Sequence, residues 1–189
     1  MASRELLIAN AAEGKCEDHR ADHSFRVMKL ALKIFEHQME VDAPEKVKQE
    51  PDLFREALGW AAVLHDREMV GLDSDHGFRA AGRVDEVLGI QTQEKLLDII
   101  KFLCIYHVPD DSEIENINET QRWILKVFKD ADSLDRVRFN NGDRLDEKYL
   151  RLDFSKALTS EAQSLWKKTR KFNNSPREAF DAVFDNGIE

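Results

Sequence analysis

The sequence predicts an all-α fold, a helical bundle built as a single domain. Three observations carry this. Glycine and proline are scarce, at eight and four in 189 residues. Few segments alternate apolar and polar residues for long enough to make a half-buried strand. Apolar residues recur instead at helical spacing along most of the chain.

The elements follow in order. Residues 1–18 are expected to form an N-terminal segment packed on the domain. From about His19 to Met39, Met28, Ala31, Leu32, Phe35 and Met39 make one apolar stripe. A loop follows, with Pro44 and Pro51 as breakers. A second helix, from about Asp52 to Asp66, turns Leu53, Phe54, Ala57, Trp60, Ala61 and Leu64 inward. "GLDSDHG" reads as a loop in which Asp73 or Asp75 caps a third helix, from about His76 to Leu88. Gly89 closes that helix. Thr92 and Lys95 open a fourth, which runs to about His107. "HVPDDSE" is a loop. A fifth helix, from about Glu119 to Arg138, carries Ile124, Val127, Phe128, Ala131 and Leu134 on one face. "NNGDRLDEKY" is a turn region. A sixth helix from about Ser155 to Phe172 and a short one from about Pro176 to Phe184 complete the chain, and the final "FDNGIE" is expected to fray. Residues 19–152 form the body of the domain, and 153–189 are a helical extension of it.

Composition narrows the function classes. Hydrophobic residues at 42% suit one sizeable core. A net charge of -9 disfavours broad binding to nucleic acid or to anionic membrane, which both require basic patches. No apolar run approaches the roughly 20 residues of a membrane span. The first residues lack the apolar core of a secretory signal, so a cytoplasmic location is expected. Cys16 and Cys104 show no Cys-x-x-Cys spacing and read as inert thiols in a reducing compartment. Lys167 to Lys171, "KKTRK", is the one basic run. It reads first as a solvated helix face, and second as a contact to an acidic partner or a phosphate.

The chemistry starts at "WAAVLHDREMV", Trp60 to Val70. This stretch is apolar to Leu64 and then sets His65 and Asp66 side by side. The pair alone is ordinary by chance. It gains weight from other ligand-type residues at element ends: His23 near the start of the first long helix, His76 opening the third, and His107 ending the fourth. Asp132 lies in the fifth. In a bundle of antiparallel type these groups can reach one pocket, and imidazole nitrogen with carboxylate oxygen suits Zn, Mn, Fe, Co or Ni. Each has a plainer reading. A histidine at a helix end is ordinarily a cap or surface group, and Asp132 is spaced to pair with Arg136. Buried carboxylates, however, require partners, and a cation satisfies several at once.

The order His23 … His65-Asp66 … Asp132 resembles the HD superfamily of metal-dependent phosphohydrolases, an all-α family. "ADHSFRVMKLALKI" resembles the first family helix, with Arg26 three residues after His23. "AAVLHD" resembles the helix carrying the family's His-Asp pair. "DADSLDRV" resembles the closing Ala-Asp-x-Leu segment, which makes Asp132 the ligand rather than Asp130 or Asp135. His76 and His107 resemble the extra histidines of members that hold two metals. The resemblance spans about His19 to Phe139 and leaves the last fifty residues without a family signal. One departure is clear: many members follow the pair with Ile-Gly, and here Arg67-Glu68 follows. Glu68 falls near, but out of register with, a functional acid of the nucleotidase and guanosine-polyphosphate hydrolase branches, and so becomes a candidate catalytic acid.

The resemblance implies metal-assisted hydrolysis of a nucleotide or other small phosphate ester by a metal-activated water. His23, His65, Asp66 and Asp132 would form the first metal shell. His76 and His107 would bind a second ion, and Asp66 would bridge the two or orient the nucleophile. The cofactor would be one or two divalent ions, Mn, Mg, Co, Ni, Fe or Zn. Arg26, one turn from His23, would present its planar fork to phosphate, or else pair with a nearby acid; Arg79, Arg136 and Arg138 are weaker candidates. Nucleic acid is disfavoured as substrate. Two alternatives share the fold: a di-iron oxygenase using four His and two Asp, and a non-catalytic domain that senses a nucleotide or partner protein.

Overall fold

A computed structural model describes residues 3–13, 21–71, 73–89, 91–139, 145–172 and 174–184. Among these residues there is no strand, as the patterning predicts. The expected start of the first helix at His19, the thiol of Cys16, the 140–144 part of the turn region and nearly all of the expected frayed tail lie outside the described residues.

Among the described residues there are ten α-helices: α1 (Arg4–Ala11), α2 (Ala21–Val41), α3 (Glu45–Gln49), α4 (Pro51–Leu64), α5 (His76–Leu88), α6 (Glu94–Tyr106), α7 (Glu119–Leu134), α8 (Asp153–Ala157), α9 (Thr159–Thr169) and α10 (Pro176–Phe184). The central element is α2. The sequence shows it as a one-sided stripe, yet Phe25, Val27, Leu30, Ala31, Ile34 and Phe35 are all fully buried. The reason is that α4, α7 and α10 pack against it, with α1, α8 and α9 adding further contacts. Phe25 meets Phe180 of α10 edge to face, with centroids 5.1 Å apart, so the C-terminal extension contributes to the same core.

Local chemistry explains the helix limits. Pro51 occupies the first turn of α4, where its missing N–H costs nothing. Pro44 stands at the start of the five-residue α3, so the expected loop between the prolines contains a helical turn. Asn118 and Gln121 cap α7 reciprocally. Gly89 ends α5 with φ +82. Asp75 holds the N-cap position of α5 but makes no side-chain cap bond. Asp73 instead accepts from the backbone N–H groups of Val70 and Asp75 and pairs with Arg79, ordering the loop before α5.

Three expected elements are divided. The "HVPDDSE" loop contains a 3₁₀ turn at Asp111–Glu113, capped by Asp110. The fifth helix ends at Leu134 and continues as a 3₁₀ turn over Asp135–Arg138. The sixth is broken at Leu158 into α8 and α9 and finishes as a 3₁₀ turn over Arg170–Phe172. The "KKTRK" run is exposed except at Thr169, which is fully buried.

Candidate metal centre

The apolar run of α4 stops at Leu64, and residues 65–68 leave the helix as turns. Arg67 N–H donates to Leu64 C=O at 3.1 Å, a tightening that lets consecutive residues face one point. His65 and Asp66 do so. The first residue of α5 (His76), the residue ending α6 (His107), the first turn of α2 (His23) and the last turn of α7 (Asp132) converge on the same place.

The six residues form two groups that share Asp66: His23, His65, Asp66 and Asp132, and Asp66, His76 and His107. Within each group, ligand atoms lie within 4.8 Å of one another. Asp66 divides its oxygens between the groups. Its Oδ2 lies 3.3 Å from the Nε2 of both His23 and His65. Its Oδ1 lies 3.1 Å from His76 Nε2 and 3.3 Å from His107 Nε2. Asp132 Oδ1 completes the first group at 3.6 Å from both histidines.

All four imidazoles turn Nε2 inward because Nδ1 is engaged behind. His23 Nδ1 faces an Asp135 carboxylate oxygen at 2.8 Å. His65 Nδ1 faces the carbonyls of Ala61 and Ala62. His76 Nδ1 faces Asp73 C=O at 2.6 Å, and His107 Nδ1 faces Cys104 C=O at 2.7 Å. Each of these partners only accepts, so each Nδ1 carries a proton, and any second proton or a cation must sit at Nε2. The Nε2 atoms meet in pairs, His23 to His65 at 3.2 Å and His76 to His107 at 3.1 Å. Two facing Nε2 atoms beside a carboxylate repel unless a proton or a cation sits between them. Donors about 2.0–2.1 Å from a single ion stand about 3.0–3.4 Å from each other, which is the spacing seen here. The donor set therefore fits a divalent cation, with the outer hydrogen bonds that fix a metal-binding histidine's tautomer already in place.

The electrostatics show the same demand. Burial opposes charge on His65, but the Asp66 and Asp132 carboxylates outweigh it and push its pKa up to about 10. His76 is raised against burial by Asp66 and the Asp73 carbonyl, whereas burial prevails at His107 and lowers it. Burial would raise Asp66 and Asp132, yet the surrounding imidazoles hold both well below the usual carboxylate range. The carboxylates draw in a proton, and a divalent cation answers the same demand with more charge.

A buried layer supports this arrangement. Burial would raise Asp135, but Arg26 and His23 hold its carboxyl well below the usual range. Arg26 meets both Asp135 oxygens, from Nε at 2.6 Å and Nη2 at 3.0 Å, while Nη1 donates to Asp22 and to Thr169 of α9. The expected phosphate fork at Arg26 is corrected here: its side chain is 1% exposed and every guanidinium nitrogen is committed behind His23. Phe128 stands edge-on to His65 and His107, with centroids 5.4 and 6.4 Å away.

Glu68 lies in the turn after Asp66 but belongs to neither ligand group; its carboxylate is 4.0 Å from Arg67 Nε. Arg79 holds Asp73 and the Glu68 carbonyl, Arg138 donates to Asp135, and Arg136 is exposed. Asp132 faces the histidines, and the Arg136 spacing produces no ion pair. Its side chain is 27% exposed against 7% or less for the other five, so the centre opens on the Asp132 side. Sequence reading missed Asp135, Thr169 and the backing carbonyls. Of these only Asp135, the third Asp of "DADSLD", left a local signal.

Comparison of the chain with protein-family models, with curated proteins and with solved structures finds no match in any of the three.

Proposed function

We propose that this chain is a metal-dependent phosphohydrolase of the HD type, acting on a nucleotide or another small phosphate ester. The observation that carries the reading is the division of Asp66 between two donor groups, within a ligand set whose chain order resembles that family. A divalent ion held there supplies a water acidified toward neutrality and a positive charge for the phosphoryl oxygens.

The protein's own groups do the rest. The Nδ1 partners fix the orientation of His23, His65, His76 and His107 and aim each Nε2 at the centre. Asp66 ties the two donor groups at a fixed spacing. Asp132, on the open side, is the ligand that a substrate would meet first. Burial of the other five donors excludes bulk water and strengthens every charge interaction in the centre. The net charge of -9 favours a small phosphorylated substrate over nucleic acid, and the buried free thiol of Cys104 fits a reducing compartment such as the cytoplasm. No helix among the described residues is long and apolar enough to cross a membrane.

The test is phosphate release by metal-free protein reconstituted with Mn, Co, Ni or Mg, on a panel of nucleotides and small phosphate esters. Metal-dependent release from at least one substrate is expected. Stoichiometric metal with no release from any substrate would overturn the reading.

A further inference from the structure

We infer that the two donor groups bind cations unequally, with the tighter position at His23, His65, Asp66 and Asp132 and the weaker at Asp66, His76 and His107, and that Gly77 is the positioning residue that closes the weaker one. This rests on the metal reading above.

The inequality has two independent sources, the donors and their anchoring, and repulsion between the ions separates the two binding steps further. The first group offers four donors, two of them carboxylates, whereas the second offers three and shares its one carboxylate. Fewer donors and less negative charge hold a hard divalent ion less tightly. An ion in the first position also repels a second one nearby. The groups differ in anchoring as well. His23 lies in α2 and His65 directly follows α4, two helices that pack on each other through the core, and Asp135 with Arg26 locks His23 from behind. His76 follows the 69–75 loop, where Gly71 has φ +67. It begins α5, a helix that packs on α6 and only lightly on α4.

The distance between His76 and His107 is therefore set by how closely α5 approaches α6. Gly77 controls that approach. A Cβ at position 77 would lie 2.4 Å from the Cys104 carbonyl oxygen and 3.4 Å from His107 Cε1. The same carbonyl accepts the His107 Nδ1 proton at 2.7 Å. One backbone oxygen thus serves as the packing surface for Gly77 and as the group that aims His107. A methyl at 77 would force the helices apart by about 1 Å, because such contacts are not tolerated below ordinary van der Waals distance. The 3.1 Å His76–His107 spacing would open with it.

The experiment is calorimetric titration of metal-free protein with Mn. Wild type should show two resolved steps. His76→Ala and Gly77→Ala should lose the weaker step, or weaken it about 10–100-fold, and keep the tighter one. Gly82→Ala is the control: it lies in the same helix with nothing within 4 Å of an added Cβ, and should keep both steps. Two equal steps, a single step, or loss of the tighter step in His76→Ala would overturn the inequality. Two unchanged steps in Gly77→Ala, or failure of that variant to fold at all, would overturn the positioning role, since the latter would make Gly77 a general packing residue. A wild type that binds no ion would instead overturn the metal reading itself.

Discussion

His23 and Asp135, 112 residues apart, meet at 2.8 Å, the imidazole Nδ1 donating to a fully buried carboxylate. The contact fixes the tautomer of His23 and so its Nε2 lone pair. It also gives Arg26 a partner in the core. A side chain behind the centre therefore serves both stability and ligand geometry.

Asp135→Asn separates these roles from simple packing, because the shape is nearly kept. Arg26 loses most of its compensation, and breaking a buried ion pair from one side costs about 3–5 kcal/mol. The urea midpoint should fall accordingly. Mn affinity in the refolded fraction should fall about 10–100-fold, as expected for loss of a histidine's outer hydrogen bond. Unchanged affinity would leave Asp135 with a structural role only.

Asp130 and Asp132 are two residues apart and should behave in opposite ways. Asp130 is fully buried and accepts from the backbone N–H groups of Arg151 and Leu152, clasping the C-terminal extension to α7. Asp130→Ala leaves those donors unpaired, at about 1–3 kcal/mol each, and should lower the melting temperature while retaining metal. Asp132→Ala takes a partner from His65 and a donor from the first group, and should lose the tighter ion while the metal-free protein stays folded and the Arg151 and Leu152 N–H groups stay paired. Thermal melts beside metal analysis read both outcomes.

Asp111 predicts part of the acid limb of stability. Burial would raise its pKa, but Arg151 and Lys129 pull it down to about 2 from an ordinary 3.8. A depressed carboxylate stabilises the fold above its unfolded value and loses that contribution as pH falls toward its folded value. Its side chain is half exposed, so solvent screening reduces the effect to about 1 kcal/mol. Asp111→Asn should be less stable than wild type by that amount at pH 7, and the difference should vanish between about pH 4 and 2. A constant difference across that range would contradict the assignment.

Metal should stabilise the fold itself. An ion that binds only the folded chain adds about 2.7 kcal/mol at a concentration one hundred times its Kd. Mn should therefore raise the melting temperature of metal-free protein, and a chelator should reverse the rise. No shift in wild type would contradict a site assembled from four separate helices and a turn.

Much of this was legible in the sequence because it is periodic or local. The bounds of α5, α6 and α10 follow from spacing, prolines and Gly89, and the six candidate ligands stand out by order and by position at element ends. What was not legible depends on contacts distant in sequence. Arg26 reaches Thr169 across 143 residues, and nothing in "KKTRK" marks the one buried hydroxyl in a basic run. The burial of the first half of α2 beyond its own stripe reflects neighbours from both ends of the chain. The break at Leu158 lies within a continuous helical pattern, and Gly77 shows its importance only once Cys104 is placed against it.

The most direct test of the central claim is the metal content of Asp66→Ala beside wild type after reconstitution with Mn, with circular dichroism on the same samples. Because Asp66 lends one oxygen to each donor group, the substitution should abolish binding at the weaker position and severely weaken the tighter one, with helical content unchanged. Full retention of bound Mn by Asp66→Ala would contradict the account.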